Sequence, residues 1–448
     1  MITVNNTYSS LSNINNIFSK KYLCKAPFVS IYISSDGSIT PCCFNRTDIL
    51  GNIYETPLKE ILNNSKTNEL KKSIKQGIFP KGCEVCKNHS ENGNKANSGI
   101  ITYDKFPVQE NYLSVIEYEL SYKCNLSCPM CKLNEDHLFV KRNNTENNKF
   151  DIIKQITPYL EKVKMMRFYG GEPFYIEEYY SIWQKVIEIN PNCGFIVQTN
   201  GTILNQRVKE ITSKGKFNFN MSVDSLNKQT YESIRIGANF EKSISNLFVL
   251  KKIAEKNRQT MSISVCPMRI NWKDIPQILK FCNENKLYIF FNTVFAPWEQ
   301  ALWSLSANEL SEIYEYLNSF NFSFFSKIKT INKLRWNSLL HQIHKWSIDA
   351  KKRPLFSIQE KESFKIKIIN ALTNKLCMHK PENEYKLSKT SFKQTVSDLL
   401  DELFIFISPS KILDEIENSD INAIYQVICT KLNNKILENI FLGFIQQK

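Results

Sequence analysis

The stretch LSVIEYELSYKCNLSCPMC, residues 113–131, runs from an apolar strand-like segment straight into three cysteines, Cys124, Cys128 and Cys131. Working outward, short apolar runs keep alternating with longer amphipathic ones as far as about Pro297. That alternation predicts parallel strands joined by helical crossovers. Six strands are expected, at Leu113–Leu120, Met165–Tyr169, Gly194–Gln198, Phe217–Val223, Met261–Val265 and Tyr288–Val294. The helices between and after them are expected at Ile152–Val163, Glu177–Ile189, Asn205–Lys214, Phe240–Lys256, Trp272–Asn285 and Ala307–Asn318. The fold class is therefore α/β, a partial TIM-like (β/α)6 barrel, and its chemistry belongs at the C-terminal strand ends. Those ends carry the cysteine loop, then Gly170-Gly171-Glu172-Pro173, Thr199-Asn200-Gly201, Ser222-Val-Asp224-Ser225 and Cys266.

Three thiolates within eight residues can wrap one face of a cubane iron-sulfur cluster and leave the fourth iron open to a chelating ligand. A structural zinc site is the competing reading, but zinc usually takes four protein ligands as two spaced pairs, and this loop offers three. The paired glycines allow a close backbone approach to a ligand. CxxxCxxC, GGEP and SxD at successive strand ends together resemble the radical S-adenosylmethionine (SAM) superfamily. The resemblance implies a SAM-binding 4Fe-4S cluster on Cys124, Cys128 and Cys131, with SAM held by Gly170, Gly171, Glu172, Pro173, Asn200 and Ser222. It also implies that Met130 packs on adenine and Arg235 faces the SAM carboxylate. Asp224 and two thiols near the barrel mouth, Cys266 and Cys377, are the catalytic candidates.

Residues 1–112 read as a separate small module: a hairpin around Asp36-Gly37, a helical stretch Leu58–Gln76, and cysteines at 24, 42, 43, 83 and 86. The pattern resembles the SPASM/twitch auxiliary-cluster domains, placed here before the barrel. The resemblance implies a second 4Fe-4S cluster on Cys24, Cys42, Cys83 and Cys86, with Cys43 competing for the second position. A zinc site on the same CxxC remains an alternative.

Thirteen cysteines and no export signal argue against a disulfide framework and place the chain in the cytosol. No stretch has the roughly 18 apolar residues of a membrane span. The net charge of +14 is spread along the chain, the one local excess being eleven basic residues between Lys327 and Lys367. Solvated helix faces explain such runs more often than nucleic acid does. Residues 113–300 are assigned to the barrel and 301–448 to a mostly helical extension, in which His341 and His344 read as part of a packed amphipathic face.

The expected function is SAM-dependent hydrogen abstraction by a radical enzyme supplied with electrons by a flavodoxin or ferredoxin. The first substrate class is a ribosomally made peptide that is crosslinked, given a thioether or oxidised. The second is a small sugar-like or aminocyclitol metabolite that is dehydrogenated or epimerised. A non-catalytic metal-binding protein contacting RNA through Lys327–Lys367 is the alternative from another class.

Overall fold

A computed structural model describes residues 22–91, 99–109, 112–131, 150–294, 299–322 and 326–352, with Pro297 and a few positions between 363 and 370. Among the described residues, nine strands form one open sheet in the order β3-β2-β1-β4-β5-β6-β7-β8-β9. These are β1 Ser30–Ser34, β2 Ser38–Thr40, β3 Gly51–Asn52, β4 Val115–Glu119, β5 Met165–Phe168, β6 Gly194–Thr199, β7 Lys216–Ser222, β8 Met261–Val265 and β9 Tyr288–Phe291. From β4 to β9 every pairing is parallel, the partial (β/α)6 barrel that the alternation predicts.

Residue parity divides the sheet. Phe168, Phe195, Phe217 and Phe219 point to the side covered by helix Glu177–Ile189, whose Trp183 is fully buried with its ring centroid 5.2 Å from Phe168 and 5.6 Å from Phe217. Removing so large a buried ring would cost roughly 3–5 kcal/mol. The opposite parity is polar: Glu117, Arg167, Gln198, Asn220, Ser222, Ser262 and Ser264 occupy the inner face in register. Asparagines start three of the crossover helices, because a short amide can accept from the exposed N–H groups of the first turn. Asn205 accepts from Val208 N, Asn227 from Thr230 N and Asn239 from Lys242 N.

Local chemistry shifts several expected boundaries. Pro27 opens a helical turn, Ala26–Val29, so β1 starts only at Ser30. The expected helix Leu58–Gln76 is two, Leu58–Ile61 and Ser65–Lys75, since Asn64 caps the second by accepting from Thr67 N. Helix Ile152–Ile156 gives way to a 3-10 turn at Thr157–Tyr159, where Pro158 has no N–H to continue it.

Among the described residues, the N-terminal hairpin does not stand as a sheet of its own. β1 runs parallel to β4, from Ser30 opposite Val115 to Ser34 opposite Glu119, so the hairpin extends the barrel sheet. At the other edge the helix Lys327–Ala350 covers β9: Asn332 accepts from Ile289 N at 3.0 Å and donates to Leu287 O at 2.9 Å. These bonds occupy edge groups that could otherwise recruit another strand.

The described chain falls into two compact units, one running to Val294 and resuming at Phe320–Leu339, the other taking the rest. In the second, the His344 ring packs at 4.8 Å from Tyr314. No described helix is long and apolar enough to cross a membrane.

Candidate functional site

The cysteine loop is laced to the second strand end. Gly171 N donates to Ser121 O at 3.0 Å and Glu172 N to Lys123 O at 2.9 Å, while on the loop's other side Ser127 N donates to Ile236 O at 3.0 Å. Gly170 has φ +113°, a left-handed conformation that only glycine adopts cheaply. A Cβ on Gly170 would overlap the Ser121 carbonyl oxygen, and one on Gly171 the Lys123 carbonyl oxygen. The glycine pair is thus required by the loop that carries the cysteines, a reason distinct from the close approach of a ligand.

Glu172 is fully buried and accepts from Thr199 Oγ1 at 2.7 Å, Asn200 N at 2.7 Å and Phe174 N at 3.1 Å. It ties the end of β5 to the end of β6, and Pro173 opens the following 3-10 turn. Burial pushes its carboxyl up to about 7, against the lowering effect of those three donors. The ionised form is the costly one inside the fold, so Glu172 stabilises the protein most below the ordinary carboxylate pKa of 4.5. That stability should be lost as pH rises through about 7, by on the order of 3 kcal/mol. Comparing unfolding free energies of wild type and Glu172→Gln from pH 4 to 8 checks this: the gap between them should narrow or invert toward high pH.

Asp224, also fully buried, spends both carboxylate oxygens within the fold. Oδ1 accepts from Cys266 N at 2.7 Å, and Oδ2 accepts from Arg235 Nε at 2.6 Å and pairs with Arg235 Nη2 at 2.6 Å. Both oxygens of Asp224, a catalytic candidate in the sequence, are thus engaged by a backbone N–H and a guanidinium of the chain itself. Arg235 reaches Cys128 Sγ with Nη1 at 3.7 Å, and Asn200 reaches Cys124 Sγ with Nδ2 at 3.7 Å. Cys266 stands at the end of β8 beside this group, its thiol pushed up to about 12 by burial, with Asp224 raising it further and Arg235 opposing. Ser222 accepts from Gln198 Nε2 at 3.3 Å, and Met130 is half-buried in the turn before Cys131. Cys377 lies outside the described residues.

The N-terminal cysteines gather where the hairpin meets the barrel. The Cys24 thiol is pushed to about 12, chiefly by burial and further by Cys86 and Cys83. Asn45 Nδ2 donates to Cys83 Sγ at 3.4 Å. Cys42 shares an apolar cluster with Ala26, Val29, Tyr103 and Phe106, against which Cys24 packs. Cys43 turns elsewhere, with Sγ 3.8 Å from Tyr103 Oη. Tyr103 donates to Glu117, which also accepts from Tyr169 Oη at 3.2 Å and pairs with Arg167 at 3.6 Å. The sequence reading missed this inner-face network, although Glu117 and Glu119, alternating within an apolar strand, were the available signal.

The described cysteines are thiols rather than disulfides. As placed, no three described Cys, His or carboxylate side chains converge closely enough to hold a metal ion. The donor chemistry nevertheless fits iron-sulfur clusters: three thiols on one strand-end loop, with nitrogen donors aimed at two of the sulfurs, and four thiols near the hairpin, Cys24 packing against the apolar cluster that includes Cys42. Burial raises Cys124 and Cys128 above the ordinary thiol range, so metal binding there displaces protons.

Residues 118–282 match the Radical SAM superfamily, and residues 24–88 match an iron-sulfur cluster-binding domain, SPASM. Among curated relatives, GTP 3',8-cyclase of Aliarcobacter butzleri is 26% identical over 190 residues, 42% of this chain and 56% of that protein. GTP 3',8-cyclase of Clostridium botulinum is 28% identical over 191 residues, 42% of this chain and 54% of that protein. The chain thus spans little more than half the length of these relatives. Among solved structures, Streptococcus suis SuiB aligns with TM-score 0.35 and 17% identity, over 58% of this chain and 60% of that one. Native anSMEcpe with bound AdoMet aligns with TM-score 0.35 and 16% identity, over 46% and 59%.

Proposed function

We propose that this chain, which carries a radical SAM domain preceded by a SPASM iron-sulfur domain, abstracts hydrogen from an unactivated carbon of a ribosomally made peptide and oxidises it, forming a crosslink, a thioether or a double bond. Cys124, Cys128 and Cys131 would hold a 4Fe-4S cluster, which would supply the electron for reductive cleavage of SAM, and Cys24, Cys42, Cys83 and Cys86 would hold a second, which would accept the electron given up by the substrate.

The observation that carries the oxidative reading is the β1–β4 pairing. It joins the N-terminal cysteine segment to the sheet that carries Cys124, Cys128 and Cys131, with Cys43, Tyr103, Glu117 and Tyr169 linking hairpin and inner face. The chain's own part is positional. Gly170 and Gly171 let the cysteine loop close onto β5, Glu172 and Asp224 hold Asn200 and Arg235, and Met130, Asn200, Ser222 and Pro173 frame the place for SAM. A flavodoxin or ferredoxin is the proposed reductant, and residues 1–112, 113–300 and 301–448 the proposed functional segments.

Gln198, Asn220, Ser222, Ser262 and Ser264 line the inner face of β6 to β8 with uncharged amides and hydroxyls. Such a lining suits peptide amides better than the triphosphate of a nucleotide, so the cyclase activity named for the relatives is the less favoured reading. Epimerisation of a small polyol is kept as the second, because Cys266 stands beside the cysteine loop, where a thiol could return hydrogen.

Measuring 5′-deoxyadenosine and product together in a Cys83/Cys86→Ala variant tests the proposal. Deoxyadenosine should persist while oxidised peptide disappears. Full product from that variant would remove the electron-acceptor role. Product lost on Cys266→Ala but kept in the double variant would favour epimerisation.

A further inference from the structure

Two of the three loop sulfurs receive a nitrogen donor whose own position is fixed by a buried carboxylate at a neighbouring strand end. At the end of β7, Asp224 takes Nε and Nη2 of Arg235 on one oxygen, leaving Nη1 directed at Cys128 Sγ, 3.7 Å away. Asp224 is itself held by Cys266 N at 2.7 Å, and Asn271 donates to its carbonyl at 2.9 Å. The Arg235 backbone is fixed as well, its N–H donating to Tyr231 O at 2.7 Å where helix Lys228–Ile234 ends.

At the end of β6, Glu172 accepts from Asn200 N, and the Asn200 amide oxygen accepts from Thr202 N at 2.9 Å and Thr202 Oγ1 at 2.7 Å. With the oxygen so engaged, the amide cannot be turned over, and its Nδ2 is the atom that faces Cys124 Sγ at 3.7 Å and Asn125 Oδ1 at 3.0 Å.

We propose that Arg235 and Asn200 are positioning residues that donate to the sulfurs of Cys128 and Cys124, and that the charged donor on Cys128 raises the reduction potential of the cluster those cysteines hold. Reduction adds negative charge to the cluster and its sulfurs. A donor to sulfur stabilises the reduced state more than the oxidised one, and a cationic donor in a water-poor site does so more than a neutral amide. In the alternative expected from the sequence, Arg235 faces the SAM carboxylate: Asp224 would keep Nε and Nη2, and Nη1 would serve SAM rather than Cys128 Sγ. The inference rests on assigning a cluster to Cys124, Cys128 and Cys131, which an iron count on wild type and on the triple Ala variant tests separately.

The test is an anaerobic redox titration of the full reconstituted chain without SAM, followed by electron paramagnetic resonance on the signal that later addition of SAM perturbs. Arg235→Gln should keep its iron and show a tenfold less favourable one-electron reduction, a downward shift of about 59 mV. Arg235→Lys, which keeps the charge but loses the fork, should shift less in the same direction, and Asn200→Leu should shift less than Arg235→Gln. An unchanged potential in Arg235→Gln, with SAM affinity down tenfold or more, gives the arginine to SAM and overturns the proposal. If Arg235→Gln loses iron, Arg235→Lys decides: a smaller downward shift upholds the role, and a wild-type potential overturns it. Iron lost from both, in protein with unchanged circular dichroism, overturns the proposal and gives Arg235 a structural role through Asp224.

Discussion

Replacing Cys124, Cys128 and Cys131 together by Ala should bring reductive SAM cleavage to background and lower the iron content of reconstituted protein from about eight atoms to about four. The loss should be this large because all three thiols lie on one loop after β4, and no other described cysteine of the barrel sits in a matching group. The remaining four irons should belong to the N-terminal set, so iron should fall to near zero in a protein that also lacks Cys83 and Cys86. Iron and acid-labile sulfide assays with chromatographic detection of 5′-deoxyadenosine read both numbers. A triple variant that keeps its full iron would remove these residues from the cluster assignment.

Gly171→Val should be nearly as damaging, for a reason that only the packing reveals. A side chain at 171 meets the carbonyl oxygen of Lys123, one residue before the first cysteine, and neither backbone segment can yield without breaking the bonds from Gly171 N to Ser121 O and from Glu172 N to Lys123 O. The variant should therefore lose about half its iron along with SAM binding. Had the glycine served only the approach of a ligand, SAM affinity would fall while iron stayed constant. Measuring iron before SAM is added separates the two outcomes, and wild-type iron in the variant would return Gly171 to a ligand-facing role.

Much of the site was legible in the chain because its signals are local. Parity and turn chemistry put the cysteine loop, Gly170-Gly171 and Asn200 at successive strand ends, and helices Glu177–Ile189, Phe240–Lys256 and Ala307–Asn318 follow the expected limits. Boundaries failed where one residue outweighed the periodicity, as Pro27 and Asn64 show. The partners of Asp224 and Glu172 were harder to read. A carboxylate at a strand end looks the same in sequence whether it faces substrate or is consumed by an arginine and a backbone N–H.

By itself, then, the sequence determined the strand-helix alternation, the place of each motif at a strand end and the two cysteine groups, since each depends on residues within a turn or a strand of one another. Only the tertiary structure decided that β1 joins the barrel sheet beside β4, that Cys24 packs against the cluster holding Cys42 while Cys43 reaches Tyr103, and that Arg235 lies between Asp224 and Cys128. These are contacts between residues up to 107 positions apart. No periodicity encodes them. They follow from burying the apolar parity of every strand on one side of a single sheet, which forces the polar side chains of distant segments together on the other.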